Sequence, residues 1–311
     1  ELCADANCLV GLIAIIVMLI AMNAHGQWVW QNPLPQGNNL NCVKFVNSNT
    51  GWAVGVNGTI IKTTNAGNNW TIQQSGTSID LKSISLINEN TGWVAGGEYF
   101  ANIILKTTNA GINWIEQPSG LTNYFMSIQF INYNTGWLTG SPGLIFKTSN
   151  GGLNWSTQYR DSTRQIFSIF FIDSLTGWAA GGGTPADNII LKTTNGGVNW
   201  QTQINATGHS IFSINFINKN IGCAVGYNGI ILRTVNGGLN WIDASIQYAY
   251  DFTSVCFTDT NTATAVGFRG RIIKTTNGGM NWFNQVEESF NANSLNSVIF
   301  SNSSTGWAVG V

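Results

Sequence analysis

From about residue 40 onward, short apolar runs alternate with clusters of Gly, Asn, Ser and Thr, and the alternation itself repeats. Val43-Lys44-Phe45-Val46, Gly51-Trp52-Ala53-Val54-Gly55, Thr59-Ile60-Ile61-Lys62-Thr63 and Trp70-Thr71-Ile72-Gln73 each read as a strand bounded by turn residues. The third and fourth are joined by T-x-N-x-G-x-x-W, a box that recurs at Thr63–Trp70, Thr107–Trp114, Thr148–Trp155, Thr193–Trp200, Thr234–Trp241 and Thr275–Trp282. The box tryptophans lie about 41 to 45 residues apart, the length of one propeller blade. A four-stranded antiparallel meander repeated at that period predicts an all-β propeller.

The first-strand pattern can be counted seven times, anchored on Phe45, Leu86, Phe130, Phe171, Phe216, Phe257 and Phe300. So can the second, at Trp52, Trp93, Trp137, Trp178, Cys223, Thr264 and Trp307. On that count the fold is a seven-bladed β-propeller of four-stranded antiparallel blades, its last blade incomplete at the C-terminus. Trp28-Val29-Trp30-Gln31 reads as a fourth strand with nothing before it, which predicts closure of the last blade by the N-terminal strand. Because only six boxes precede Val311, the natural protein is expected to continue beyond that residue.

Ahead of the repeats, Gly11 to Met22 is an unbroken apolar run of twelve residues, about 18 Å as a helix and short for a bilayer. Small residues follow up to Gln27, where a signal peptidase could cut, although Glu1 and Asp5 stand where a basic segment is usual. The reading is a signal peptide over residues 1–26, a single propeller domain over 27–311, and a secreted, periplasmic or cell-surface location. A retained membrane anchor is the alternative. No membrane span is expected in the mature chain.

Composition narrows the function classes. Only 9% of residues are charged and the net charge is -1, which offers no electrostatic case for nucleic acid. After cleavage three cysteines remain, Cys42, Cys223 and Cys256, without metal-ligand spacing. Free thiols and a Cys42–Cys256 disulfide both stay open. No cofactor or metal is called for, and the chain reads as a monomer.

The box is an Asn-bearing form of the Asp-box S/T-x-D-x-G-x-x-W of sialidases, sortilin-type receptors and several glycoside hydrolases. Coupled to Thr50-Gly51-Trp52-Ala53-Val54-Gly55 and to Gly58–Thr64, it resembles the photosystem II stability and assembly factor family across residues 28–311. The style is closer to secreted bacterial members unconnected with photosynthesis. That resemblance implies a propeller acting as a binding or assembly scaffold. Asn65, Asn109, Asn150, Asn195, Asn236 and Asn277 take the Asp place. They keep a side-chain acceptor for an Asx-type turn but lose the charge, so they read as structural turn residues rather than cation ligands.

Packing keeps symmetry and binding sites break it. Lys62, Lys106, Lys147, Lys192, Arg233 and Lys274 share one repeat position. They read as stems laid over tryptophans in preference to an anion-binding crown. The irregular residues collect in the loops between strands 2 and 3 and in the strand 4-to-1 linkers, which share one rim. Candidate ligand-binding residues there are Tyr99, Phe100, Tyr124, Arg160, Arg164, Asp187, Tyr250, Arg269 and Arg271. Aromatics beside arginine and carboxylate suit a protein or carbohydrate partner. Two alternatives stand beside that non-catalytic reading: an Asp-box-class carbohydrate-active hydrolase and a photosystem assembly factor. The hydrolase needs two carboxylates across a cleft, for which Asp161, Asp187 and Asp251 are candidates by loop position alone. No catalytic residue is assigned, since no local motif marks a pair and His209 has no companion.

Overall fold

The computed structural model describes residues 28–29, 37–98, 101–183, 187–246, 250–286 and 293–311. Residues 1–30 separate from residues 31–311, and the second unit is the propeller. The signal-peptide reading falls outside the described residues. No helix among the described residues is long and apolar enough to cross a membrane.

Blade 1 shows the repeating unit, with strands Leu40–Phe45, Gly51–Gly55, Ile60–Thr63 and Thr71–Gln73 paired antiparallel in chain order. Five more four-stranded blades follow, with inner strands Leu81–Leu86, Phe125–Phe130, Gln165–Phe171, Ile211–Phe216 and Phe252–Phe257. A two-stranded sheet, Leu295–Phe300 with Gly306–Gly310, comes last. The seven-bladed expectation is therefore corrected to six four-stranded blades plus a hairpin. Residues 293–311 hold only the first two strand patterns of the repeat, so counting first strands counted a hairpin as a blade. Closure by an N-terminal strand is likewise not seen. Trp28 and Val29 lie outside any strand, and residues 30–36 lie outside the described residues.

The blades are held by a seam that repeats. Trp93, Trp137 and Trp178 are fully buried and stack on Phe130, Phe171 and Phe216 of the following blade, with centroids 3.5–3.7 Å apart. Their indole N–H groups donate to Gly151, Gly196 and Gly237 carbonyls in the next box at 3.0–3.2 Å. Trp307 of the terminal hairpin does the same to blade 1, stacking on Phe45 at 3.5 Å and donating to the Ala66 carbonyl at 3.1 Å. Each box tryptophan that meets such a Phe does so edge-on, as Trp200 does with Phe171 at 5.8 Å. These stacks and the buried aliphatics between blades supply most of the favourable burial.

Within each box the Thr hydroxyl donates to the Asn Oδ1 at 3.0 Å. That oxygen accepts the N–H four residues on at 2.9–3.0 Å. The Thr Oγ1 in turn accepts a box Gly N–H at 2.9–3.0 Å. An amide oxygen is sufficient for this turn, which explains why Asn serves as well as Asp.

Candidate functional site: the loop rim and the central channel

In a four-stranded meander the 1–2 and 3–4 turns lie at one end, and the 2–3 loops with the 4-to-1 linkers lie at the other. Sister 2–3 turns are tight. Val56-Asn57-Gly58-Thr59 and Tyr227-Asn228-Gly229-Ile230 close with φ near +54° at Asn and +67° to +77° at Gly, the type I′ geometry that favours Asn-Gly. Blade 6 builds the same turn from Phe268-Arg269-Gly270-Arg271, with Arg269 at φ 59°. A long side chain in the left-handed region is strained, so the turn tolerates Arg269 without favouring it.

Two clusters form on this rim. In the first, Arg164 Nε donates to Asp187 Oδ2 at 2.7 Å and its Nη1 donates to Asp161 Oδ2 at 3.0 Å. One guanidinium thus bridges the blade 3–4 linker and the blade 4 insertion. Burial alone would raise the Asp161 carboxyl, but hydrogen bonds from Thr163 and Arg164 outweigh it and hold the group below the usual carboxylate range. The same two carboxylates push the guanidinium further up. In the second cluster, the Arg271 and Arg269 guanidinium carbons lie 4.2 and 5.2 Å from the centre of the Tyr250 ring. Arg271 is buried and donates to Asn284 Oδ1 at 3.2 Å, whereas Arg269 is exposed.

The other proposed rim residues are not drawn into either cluster. Tyr99 and Phe100 lie outside the described residues. Tyr124 is half-buried, and its carbonyl accepts the Ser141 N–H at 3.0 Å. Arg160 is exposed at the end of the outer strand Ser156–Arg160 of blade 3. The third carboxylate weighed for catalysis, Asp251, accepts the Asn228 N–H at 2.9 Å and so fixes a turn.

The ring of basic residues belongs to the seam. Lys62, Lys106, Lys147 and Lys192 place their ammonium groups 4.6–5.5 Å from the centre of a Trp ring in their own blade. Lys62 and Lys147 also donate to Ala110 and Gly196 carbonyls of the next box at 3.0 and 2.8 Å. Burial pushes all four below the ordinary lysine range. Where Cys223 replaces the strand-2 tryptophan, the Arg233 Nε reaches the Gly278 carbonyl at 2.8 Å instead.

The seven inner strands surround a channel of about 320 Å³. Each carries a bulge near its start, which turns Asn41, Lys82, Met126, Phe167, Phe212, Thr253 and Asn296 out of register. Below the bulge six strands carry Ser: Ser83, Ser127, Ser168, Ser213, Ser254 and Ser297. Each hydroxyl accepts the N–H of the next inner strand at 3.1–3.4 Å, and Ser297 accepts from Val43 to close the circle. Blade 1 has Cys42 at this position. Cys42, Cys223 and Cys256 are free thiols, all buried. Burial pushes the Cys223 thiol up to about 12, so it is inert packing.

Comparison with known proteins fits this geometry. The family model described as "Photosynthesis system II assembly factor YCF48" matches residues 20–120 and 119–207, together more than half of the chain. The chain belongs to the YCF48 assembly factor family. A solved structure titled "YCF48 bound to D1 peptide" superposes with TM-score 0.73 at 20% identity, covering 90% of this chain and 91% of that one. YCF48 from Cyanidioschyzon merolae superposes with TM-score 0.71 at 19% identity, covering 91% and 95%. The Niastella koreensis GH74 enzyme superposes with TM-score 0.72 at 14% identity, covering 89% of this chain and 52% of that one. At these identities the superpositions show the fold alone. No curated protein matches by sequence.

Within the YCF48 family frame, the sequence reading missed the channel. Its signal was available: Ser recurs at one register of the inner strand in six repeats, as regularly as the box itself. The reading was drawn to loops because loops vary, and it passed over a strand position whose one exception, Cys42, breaks an otherwise uniform row.

Proposed function

We propose that this chain is an exported, monomeric, non-catalytic propeller that binds a protein segment on the rim formed by the 2–3 loops and 4-to-1 linkers. The observation that carries the reading is the Tyr250–Arg269–Arg271 stack. It puts an exposed arginine on a turn where two sister blades have Asn, at a cost in backbone strain that the stack on Tyr250 only about offsets. A residue kept against local preference at a rim is what a recognition surface uses. The printed description of a relative as YCF48 bound to D1 peptide supports a peptide as the class of partner. The apolar run before residue 23 supports export.

The hydrolase alternative fares worse on the same rim. Asp161 and Asp187 share one guanidinium, which leaves Asp161 ionised and unsuited to protonating a leaving group. The test is capture from immobilised peptide and glycan panels by the purified chain, compared with Arg269→Asn. The variant restores the residue that sister turns carry, so folding is preserved. Peptide capture that falls about tenfold or more supports the reading, on the scale of one charge-assisted contact. Undiminished peptide capture removes this rim as the site, and capture of glycans alone transfers the function to carbohydrate.

A further inference from the structure

Thr305–Val311 repeats Thr50–Val56 residue for residue, T-G-W-A-V-G-V, yet the two copies have different neighbours. In blade 1 the strand Gly51–Gly55 lies between Leu40–Phe45 and Ile60–Thr63. Gly306–Gly310 pairs with Leu295–Phe300 on one side, and among the described residues no strand pairs with its other side. Burial follows the pairing: Ala53, Val54 and Gly55 are buried, whereas Ala308, Val309 and Gly310 are part-exposed.

The chemistry of that edge can be read from its sisters. Within the hairpin the Ser301 N–H donates to the Thr305 carbonyl, so alternate residues turn to the inner strand. Gly306, Ala308 and Gly310 therefore turn their N–H and C=O groups outward. In complete blades the N–H groups equivalent to that of Gly310, on Gly55, Gly226 and Gly267, donate to Thr59, Ile230 and Arg271 carbonyls leading into the third strand, at 3.0–3.1 Å. Edges that stay single are commonly blunted by charge or proline, and Gly306–Gly310 carries neither.

What fits such an edge is written six times in the chain. Every third strand ends in Ile, then Ile, Leu or Phe, then Lys or Arg, then Thr, as Ile60-Ile61-Lys62-Thr63 does. Gly51 faces Thr63, Trp52 faces Lys62, Ala53 faces Ile61 and Val54 faces Ile60. In four blades the second strand offers Trp opposite Lys, and the ammonium lies 4.6–5.5 Å from the ring centre. Trp307 keeps the stack on Phe45 and the indole hydrogen bond, but among the described residues no cation lies over its ring.

We propose that Gly306–Gly310 is a docking edge for an extended segment of another polypeptide, of the form Ile-aliphatic-Lys-Thr, added as an antiparallel strand. Its Lys lies over Trp307, and its two apolar residues face Ala308 and Val309. A second copy of this chain is a poor donor, because each of its six such strands is already paired on both sides. The edge is separate from the loop rim and stands whether or not the rim binds a peptide.

The probe is the chain's own third strand as a free peptide, Gly58–Thr64 (G-T-I-I-K-T-T), added to the full chain. Amide exchange followed by NMR should show Gly306, Ala308 and Gly310 gaining protection, with Gly51–Gly55 unchanged. Anisotropy of the labelled peptide gives the affinity. N-methylation of its second Ile, whose N–H faces the edge, should weaken binding by about tenfold or more. N-methylation of its Lys, whose N–H faces away, should change binding by less than about twofold. Replacing that Lys by Met should weaken binding about two- to fivefold, the loss of one cation–π contact. Arg269→Asn in the chain should leave all of these values in place, which separates this edge from the rim. A peptide that binds no better than its scrambled form, or that responds equally to both N-methyl groups, overturns the proposal. Protection of the same amides without peptide, rising with protein concentration, would assign the edge to a second copy and overturn it as well.

Discussion

The seam between blades and the loop rim are made from the same residue types, used in opposite ways. In the seam, the box Asn and most of the Trp and Lys that recur also have a recurring partner. Trp137 stacks on Phe171, donates to Gly196 and carries Lys147 on its face. On the rim the same chemistries appear once each and pair across loops of different length, as Arg164 does with Asp161 and Asp187. The comparison separates two demands. Repetition marks polar groups committed to the fold. Irregularity marks groups whose removal leaves the fold standing. Substitutions on either side can break that division.

The largest effect is expected at a seam tryptophan. Trp137→Ala removes a fully buried indole with its stack and its hydrogen bond, and should cost about 3–5 kcal/mol. Urea unfolding followed by far-UV and fluorescence signals measures it. A loss under about 1 kcal/mol would show that the stack does not hold the blades together. Next in size is the box. Thr193→Val keeps the shape but strands the Gly197 and Asn195 N–H groups, at about 1–3 kcal/mol. The same change on any of the five other box threonines should cost a similar amount, because the geometry is the same in all six.

That regularity is also why the fold was legible in sequence and the site was not. A box recurring every 41 to 45 residues specifies turn, strand pairing and the Trp wedge together, and each of these depends on residues close in sequence. The blade count went wrong where two local patterns disagreed. Seven first strands and six boxes were both visible, and the six boxes match the six four-stranded blades because each lies between a third and a fourth strand. On the rim, strand order alone showed that Arg164 and Asp187 share one edge. It could not show that one guanidinium binds Asp161 and Asp187 together, since that depends on side-chain reach across a gap of 23 residues. Tyr250 and Arg271 are likewise joined only by packing, with Arg271 buried at 5% exposure despite its charge.

A rim substitution should leave stability where it was. Arg269→Asn relieves a left-handed conformation and gives up a stacking contact at 5.2 Å, each of about 0.5–1 kcal/mol and opposite in sign. The unfolding free energy should therefore stay within about 0.5 kcal/mol of the parent while partner capture falls. A variant that loses both stability and capture would place Arg269 in the fold rather than on a binding surface.

The smallest effect tests whether charge matters at a position that repeats. Asp173 caps its 1–2 turn by accepting the Leu175 and Thr176 N–H groups at 2.8 and 2.6 Å, and it pairs with Lys219 at 2.7 Å. Asn47, Asn88, Asn132, Asn218 and Asn302 make the same pair of turn bonds without a charge. The Lys219 ammonium and the turn N–H groups hold the Asp173 carboxyl at about 2, against an ordinary 3.8. A depressed carboxylate contributes stability above the unfolded value and loses it as pH falls through the folded one. For Asp173 that window runs from about pH 4 down to about pH 2. Because Lys219 is 63% exposed, screening keeps the contribution below about 1 kcal/mol. Asp173→Asn should therefore match the parent at pH 7 to within about 0.5 kcal/mol and lose less stability between pH 4 and 2, read from urea midpoints across that range. If the variant fell well below the parent at neutral pH, the ion pair would be holding the turn, and the rule that repeated positions work through shape and hydrogen bonds would fail there.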